Sequence, residues 1–177
     1  HLNPFAISGL LITITDIPLL LFILTKSKTK LARIFALHIF TVLIWGIGSF
    51  LIGINTNQQL AIPLLKFSYS GVIFIPVFFY HAVVLMRKTK SPVVLPLIYL
   101  QAFIFLAFML NNKMFLSTRY MFNSFYYQIA TPVFLISFIC WMIIAIAAQL
   151  RLIYNYNKYY SEQRGQIITL EFAEISF

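Results

Sequence analysis

Five long apolar segments, separated by short polar breaks, constrain the fold of this chain more than any other feature. They cover residues 5–25, 34–54, 60–86, 92–111 and 129–150. Each is close to the length of about 20 residues that a helix needs to cross the hydrocarbon core of a bilayer. Within lipid, such a segment satisfies its own backbone hydrogen bonds as a helix. We therefore predict an all-α, polytopic transmembrane helix bundle with five complete spans.

The end of the chain indicates a further helix. Residues 166–177 become apolar again after Arg164, and we interpret them as the opening of a truncated sixth span. Glu171 and Glu174 favour an amphipathic surface helix as the alternative. Because the chain starts with His1 rather than methionine, we expect a fragment, with residues 1–177 forming a single transmembrane domain.

The charge of the chain fits a membrane protein rather than a nucleic-acid-binding protein. Of 177 residues, 61% are hydrophobic and 10% are charged, whereas a soluble domain carries about 25% charged residues. Breaks one, three and five hold ten of the 13 lysines and arginines, the second break holds none and the fourth holds two. Positive charge accumulates on the cytoplasmic side. We predict a multi-pass protein of the cell membrane with its N-terminus outside.

Two apolar segments carry a recognisable pattern. The second contains Phe35-Ala-Leu-His-Ile-Phe-Thr-Val-Leu-Ile-Trp45, and the third contains Leu65-Lys-Phe-Ser-Tyr-Ser-Gly71 followed by Phe74-Ile-Pro76 and Phe78-Phe79. These stretches resemble the N-terminal seven-helix sensor region of membrane histidine kinases, with its Lys/Arg-x-x-Tyr-x-Gly-x-x-Phe-x-Pro pattern. The stretch up to Arg164-Gly-Gln166 is also similar to that family.

The resemblance implies an N-outside bundle of seven helices, followed by a cytoplasmic histidine kinase of a two-component system or by a diguanylate cyclase module. Helix seven and any output domain are absent from these 177 residues. No nucleotide loop, nucleophile arrangement or metal signature is recognisable in them either. We therefore assign no catalytic residue, and we expect neither enzyme activity nor a cofactor in this part of the protein.

Polar residues inside the apolar segments are the candidate sensing residues, because they are costly in a membrane. Asp16 lies near the middle of the first segment, and His38 and His81 lie at similar depths in the second and third. One hypothesis is a proton- or ligand-responsive cluster of Asp16 with one or both histidines, since histidine titrates near neutral pH. The alternative is that Asp16 is neutral or hydrogen-bonded and the histidines form interhelical contacts. A further hypothesis makes the two histidines ligands of a haem, for which they must face each other.

The third segment supplies the other candidates. Lys66 lies near its outer end, where a lysine can extend its charged group to the interface. Gly71 and Pro76 are adjacent irregularities, interpreted as a hinge or an outward-facing ligand pocket, or else as packing and a static kink. Tyr69 joins them through the pattern above. We predict that the aromatic loop 111–128 lies on the membrane surface, with a lid over an outer pocket as the alternative.

Together these features favour a sensory and signal-transducing input domain. A cue that bound among helices three to five near the outer loop would shift a packing equilibrium and move the cytoplasmic helix ends. A small transporter or channel is the alternative, although no inverted repeat is detectable. A lipid-modifying enzyme is a third class. The expected partners are the lipid bilayer and a small-molecule or lipid-soluble cue, without nucleic acid, and a homodimer is compatible with these expectations.

Overall fold

The computed structural model describes residues 3–86 and 91–175, with the side chains of Leu116 and of residues 155–175 outside the description. Along these ranges the chain forms six helices and one antiparallel hairpin. The elements are α1 (Pro4–Lys26), α2 (Lys30–Ile54), α3 (Gln58–Val72), α4 (Ile75–Met86), α5 (Val94–Leu110), β1 (Phe115–Met121), β2 (Phe125–Ala130) and α6 (Pro132–Ile175).

Four helical stretches of the described chain are long and apolar enough to cross a membrane. They are α1, α2, α3 together with α4, and the part of α6 up to Tyr154. The helix in the fourth predicted segment, α5, has only 17 residues, which corresponds to about 25 Å. The prediction of several apolar helices compatible with a multi-pass membrane protein is confirmed, but five complete spans are not.

The prediction of an all-α fold is wrong for residues 115–130, which form a β-hairpin. Aromatic residues are abundant there and fit the pleated, half-buried surface of a strand. The register runs from Phe115 opposite Ala130 to Met121 opposite Phe125. At the turn, Phe122 and Asn123 have φ values of 53° and 50°, and positive φ at successive turn residues is typical of tight hairpins.

The last helix is longer than predicted. α6 runs without interruption for 44 residues, about 65 Å at the rise of an α-helix and about twice the thickness of the hydrocarbon core. The predicted separate sixth helix over residues 166–177 is therefore, as far as Ile175, the continuation of α6. Residues 176 and 177 lie outside the described ranges.

The centre of the bundle is α2, which packs against α1, α3 and α4, while α4 also packs against α6. Glycines let α1 and α2 approach closely. A Cβ on Gly53 would lie 2.7 Å from the backbone nitrogen of Ala6, and one on Gly46 would lie 2.8 Å from Ile12. Gly46 and Gly53 thus allow a close contact of α1 with α2, and a larger residue at either position would force the two helices apart.

The helices run alternately between two ends of the bundle. At the hairpin end, Phe5 at the start of α1 stacks on Phe125 of β2, with ring centroids 4.9 Å apart. At the opposite end, which we call the basic end, Lys26, Met86 and Leu152 border one cleft. The loop between α1 and α2, the end of α4 and the middle of α6 therefore lie together, away from the hairpin.

Candidate functional site

A break separates α3 from α4 in the middle of what would otherwise be one long helix. α3 ends at Val72, and Phe74 N donates to Gly71 O at 2.9 Å in a tight turn. Pro76 has no N–H to donate to the carbonyl of Val72, four residues earlier, so that carbonyl loses its helical partner. The irregularities predicted at Gly71 and Pro76 bound this segment, residues 71–76, which we call the helix break.

α6 supplies the hydrogen bond that Pro76 cannot make. The indole Nε1 of Trp141 donates to Val72 O at 2.8 Å. A buried carbonyl left without a donor costs about 1–3 kcal/mol, so this bond fixes α6 to the helix break. Trp141 was not among the predicted sensing residues. The signal that points to it is a proline inside a long apolar helix, which requires a donor from a neighbouring helix.

α2 holds the helix break from the other side. His38 Nδ1 donates to the carbonyl of Ile75, the first residue of α4, at 3.1 Å. Because a carbonyl only accepts, this bond places a proton on Nδ1. Nearby, a Cβ on Gly71 would lie 2.4 Å from the carbonyl oxygen of Thr41. The helix break is therefore held between α2 and α6, by a histidine on one side and a tryptophan on the other.

A cavity of about 30 Å³ lies beside the helix break. Its lining combines residues of α3, α4, α5 and α6 with one residue before the hairpin: Tyr69, Val72, Ile73, Pro76, Gln101, Phe105, Met114, Phe134, Ser137, Phe138 and Trp141. The space suits about one or two water-sized groups. Among the polar groups of the lining, Gln101 Oε1 is buried and accepts no hydrogen bond from any described residue. This oxygen therefore lacks a hydrogen-bond donor among the described residues in this packing.

Tyr69 connects this cavity to the hairpin. Its hydroxyl lies 3.0 Å from the hydroxyl of Tyr127 and accepts from Gln128 Nε2 at 2.7 Å. Phe115 and Phe125 are buried against the bundle, whereas Phe122 at the tip is 81% exposed. The hairpin thus packs on the end of the bundle next to Tyr69, and both its place on a membrane surface and its alternative role as a lid stay predictions.

The structure does not bring the remaining candidates into one cluster. Asp16 is buried, and its Oδ2 has no hydrogen-bond partner among the described residues. His81 Nδ1 lies 2.8 Å from the hydroxyl of Tyr99, whereas His38 bonds to Ile75. Each histidine is therefore engaged with a different element, and neither bonds to Asp16. The described side chains contain no group of three or more potential metal ligands placed to hold an ion.

Lys66 also has a defined partner. Its Nζ donates to the carbonyl of Leu110, the last residue of α5, at 3.0 Å. The last carbonyls of a helix lack intrahelical donors and carry partial negative charge, so a lysine there caps the helix and complements its dipole. Lys66 therefore joins α3 to the end of α5, just before the residues that lead into the hairpin.

Comparisons of this chain with known protein families, with curated proteins and with solved structures gave no match. The geometry around the helix break is consequently the basis on which a function can be argued.

Proposed function

We propose that this chain is a membrane-embedded sensory and signal-relay domain, the input part of a sensor protein such as a membrane histidine kinase. The observation that carries the proposal is the helix break, which α2 and α6 hold through His38 and Trp141. Broken helices in membrane proteins occur where they are buried in protein or line a cavity. Here the break lines a cavity and is bonded to the helix that leaves the bundle.

In this proposal the chain crosses the cell membrane five times, with the hairpin end outside and the basic end in the cytoplasm. The lysines and arginines between α1 and α2 support this orientation. α5 is short, but it connects the two ends of the bundle, because Leu110 meets Lys66 at the hairpin end. A short span is accommodated by local thinning of the bilayer at modest cost.

In this proposal, binding of a cue is coupled to movement. The cavity of about 30 Å³ has room for one or two water-sized groups, and a larger molecule would occupy it by moving the helix break and α6 apart. A ligand that fits one packing better than another shifts the population toward it. The lining is mostly apolar, which favours a small apolar molecule.

The movement would pass to the cytoplasm through α6. Trp141 attaches α6 to the helix break, and Arg151, further along α6, lies over the ring of Tyr80 in α4 at 4.9 Å. α6 is thus joined to the end of α3 and to α4, at two levels. Since α6 continues far beyond the thickness of a bilayer, a shift at Trp141 would displace its distal end, where an output module would follow.

A transporter also uses broken helices, so it remains the competing function. The lining of the cavity contains no charged residue, whereas transporter sites place charged or strongly polar groups near the midplane for substrate and coupling ions. This difference favours the relay.

The test is the full-length protein in native membranes, with its output activity as the readout. Trp141→Phe removes the donor to Val72, and we expect the activity to change by about threefold to tenfold, from typical interhelical hydrogen-bond energies in membranes. Trp45→Phe is the matched control, because Trp45 is 37% exposed and donates no hydrogen bond to a described residue. A chain without an output module after residue 177, or equal activity of both variants, would contradict the relay. Solute uptake by the reconstituted protein would support the transporter.

A further inference from the structure

The basic end of the bundle contains a cleft that the proposed relay does not use. Its volume is about 510 Å³, much larger than the cavity at the helix break. α1, α2, α4 and α6 all contribute to its walls, which are apolar along Phe35, Ala82 and Leu152. The polar lining residues are Lys26, Ser27 and Thr29 at the mouth.

The junction of α1 and α2, beside the cleft, carries positive charge without a described counter-ion. Lys26 lines the cleft, and Lys28 and Lys30 follow it in the sequence. Arg33 lies on another face of α2, where it lines a separate groove with Leu20 and Phe40. The described side chains include one acid, Asp16, which lies halfway along α1 and about 15 Å from Lys26 at the rise of an α-helix. No described carboxylate therefore neutralises this junction.

The start of α2 adds hydrogen-bond donors to this charge. Thr29 caps the helix: its Oγ1 accepts from Ala32 N, and its carbonyl accepts from Arg33 N, both at 3.1 Å. The amides of Lys30 and Leu31, which precede them, bond to no described residue, and Leu31 lines the cleft. Free amides at a helix N-terminus, together with the helix dipole, favour an anion.

We propose that this cleft binds one anionic phospholipid of the cytoplasmic leaflet. One acyl chain lies along the apolar walls, and the phosphate lies at Lys26 and the free amides of α2. Basic pockets between transmembrane helices on the cytoplasmic side are typical sites for such headgroups. The inference rests on the membrane placement proposed above but does not require the relay. The lipid would contact four helices at once and so stabilise the packing of α6 against the rest of the bundle.

The test uses the full chain purified in dodecyl maltoside, with retained lipid counted by native mass spectrometry. We expect one phosphatidylglycerol per chain to be retained in preference to phosphatidylcholine. Lys26→Gln should weaken phosphatidylglycerol binding by about fivefold, which corresponds to one basic residue at an anionic surface. Lys113→Gln, at the hairpin end, is the control and should bind phosphatidylglycerol as the unaltered chain does.

A second variant tests the space inside the cleft independently of the positive charge at its mouth. Ala32 is half-buried in the wall, and Ala32→Phe should fill the cleft and abolish retention of phosphatidylglycerol with every basic residue in place. Ala107→Phe, at an exposed position of α5, should retain the lipid. If Lys26→Gln and Ala32→Phe both retained as much phosphatidylglycerol as the unaltered chain, the proposal would be overturned. Equal retention of phosphatidylcholine and phosphatidylglycerol by the unaltered chain would overturn it as well. A dimer that disappears in Ala32→Phe would show that a second copy occupies the cleft instead.

Lipid binding and signal relay can be tested separately. If Trp141→Phe leaves the output activity unchanged while Lys26→Gln weakens phosphatidylglycerol binding, the relay fails and the lipid site stands. If Trp141→Phe changes the output activity while Lys26→Gln binds phosphatidylglycerol as the unaltered chain does, the lipid site fails and the relay stands.

Discussion

At the scale of single residues, one missing backbone hydrogen explains why α6 contacts the helix break where it does. Pro76 cannot donate to the carbonyl of Val72, and Trp141 donates to it instead at 2.8 Å. Removal of the indole N–H leaves the carbonyl without a donor from any described residue. Trp141 and Pro76 are therefore energetically linked although they do not bond to each other.

A double-mutant cycle tests this link. We expect Trp141→Phe to destabilise the protein by about 1 kcal/mol, in the range measured for hydrogen bonds between transmembrane helices. In a Pro76→Ala background the cost should fall, because the new amide of residue 76 can donate to Val72 and restore the helical bond. The measurement is reversible unfolding in mixed micelles. An identical cost in both backgrounds would show that the bond of Trp141 does not compensate for the proline.

At the scale of elements, the hairpin depends on a small polar network for its attachment to α3. The hydroxyl of Tyr69 interacts with both Tyr127 and Gln128. Tyr69→Phe keeps the ring and removes the hydroxyl, so we expect a loss of about 1 kcal/mol and faster hydrogen exchange of the amides in residues 115–130. The amides of α2 should exchange as before.

The matched control for this change is Tyr120→Phe. Tyr120 is 43% exposed, and its contact with Tyr126 is between rings, with centroids 4.9 Å apart. Tyr120→Phe should therefore leave the hydrogen exchange of the hairpin amides unchanged. If Tyr69→Phe and Tyr120→Phe have the same effect on exchange, the hydroxyl of Tyr69 does not attach the hairpin to the bundle.

The elements also show what a sequence of this kind can predict. Segment length and hydropathy locate the apolar helices, since a helix satisfies most of its own backbone, but they did not give the short length of α5 or the continuation of α6. Asn3 lies directly before Pro4, and its side chain caps α1 by accepting from Ala6 N at 2.8 Å. The hairpin was not predicted, because aromatic residues suit a membrane interface as well as a strand, and strand pairing depends on residues distant in the sequence.

The candidate site was also predictable in part, where the residues act on their own backbone. Gly71 and Pro76 mark an irregular helix from the sequence alone, because their effects on the backbone are local. The partners of that irregularity depend on how α2 and α6 rotate about their axes, which no local signal fixes. His38 was therefore grouped with Asp16 and His81 by depth, whereas the structure joins it to Ile75. Depth along a helix is readable from sequence, and the direction of a side chain is not.

At the scale of the whole molecule, the number of crossings depends on α5, the one short apolar helix of the described chain. If α5 crosses the membrane, the hairpin lies on the same side as the loop between α2 and α3. If α5 does not cross, the hairpin lies on the side of Ser91. The contact of Lys66 with Leu110 at 3.0 Å places the end of α5 beside the middle of α3, in the first half of the span that α3 and α4 form together, and favours the crossing.

Single cysteines at three positions distinguish these arrangements in a Cys140→Ser background, which removes the only native cysteine. Thr56 and Ser117 are exposed near the hairpin end, and Ser91 precedes α5. With five crossings and the N-terminus outside, an impermeant maleimide added to intact cells labels Thr56→Cys and Ser117→Cys, and it labels Ser91→Cys only after permeabilisation. Four crossings would protect Ser117→Cys as well, and the opposite orientation would reverse all three results. The hairpin residue therefore reports the crossing of α5 independently of which side the basic end faces.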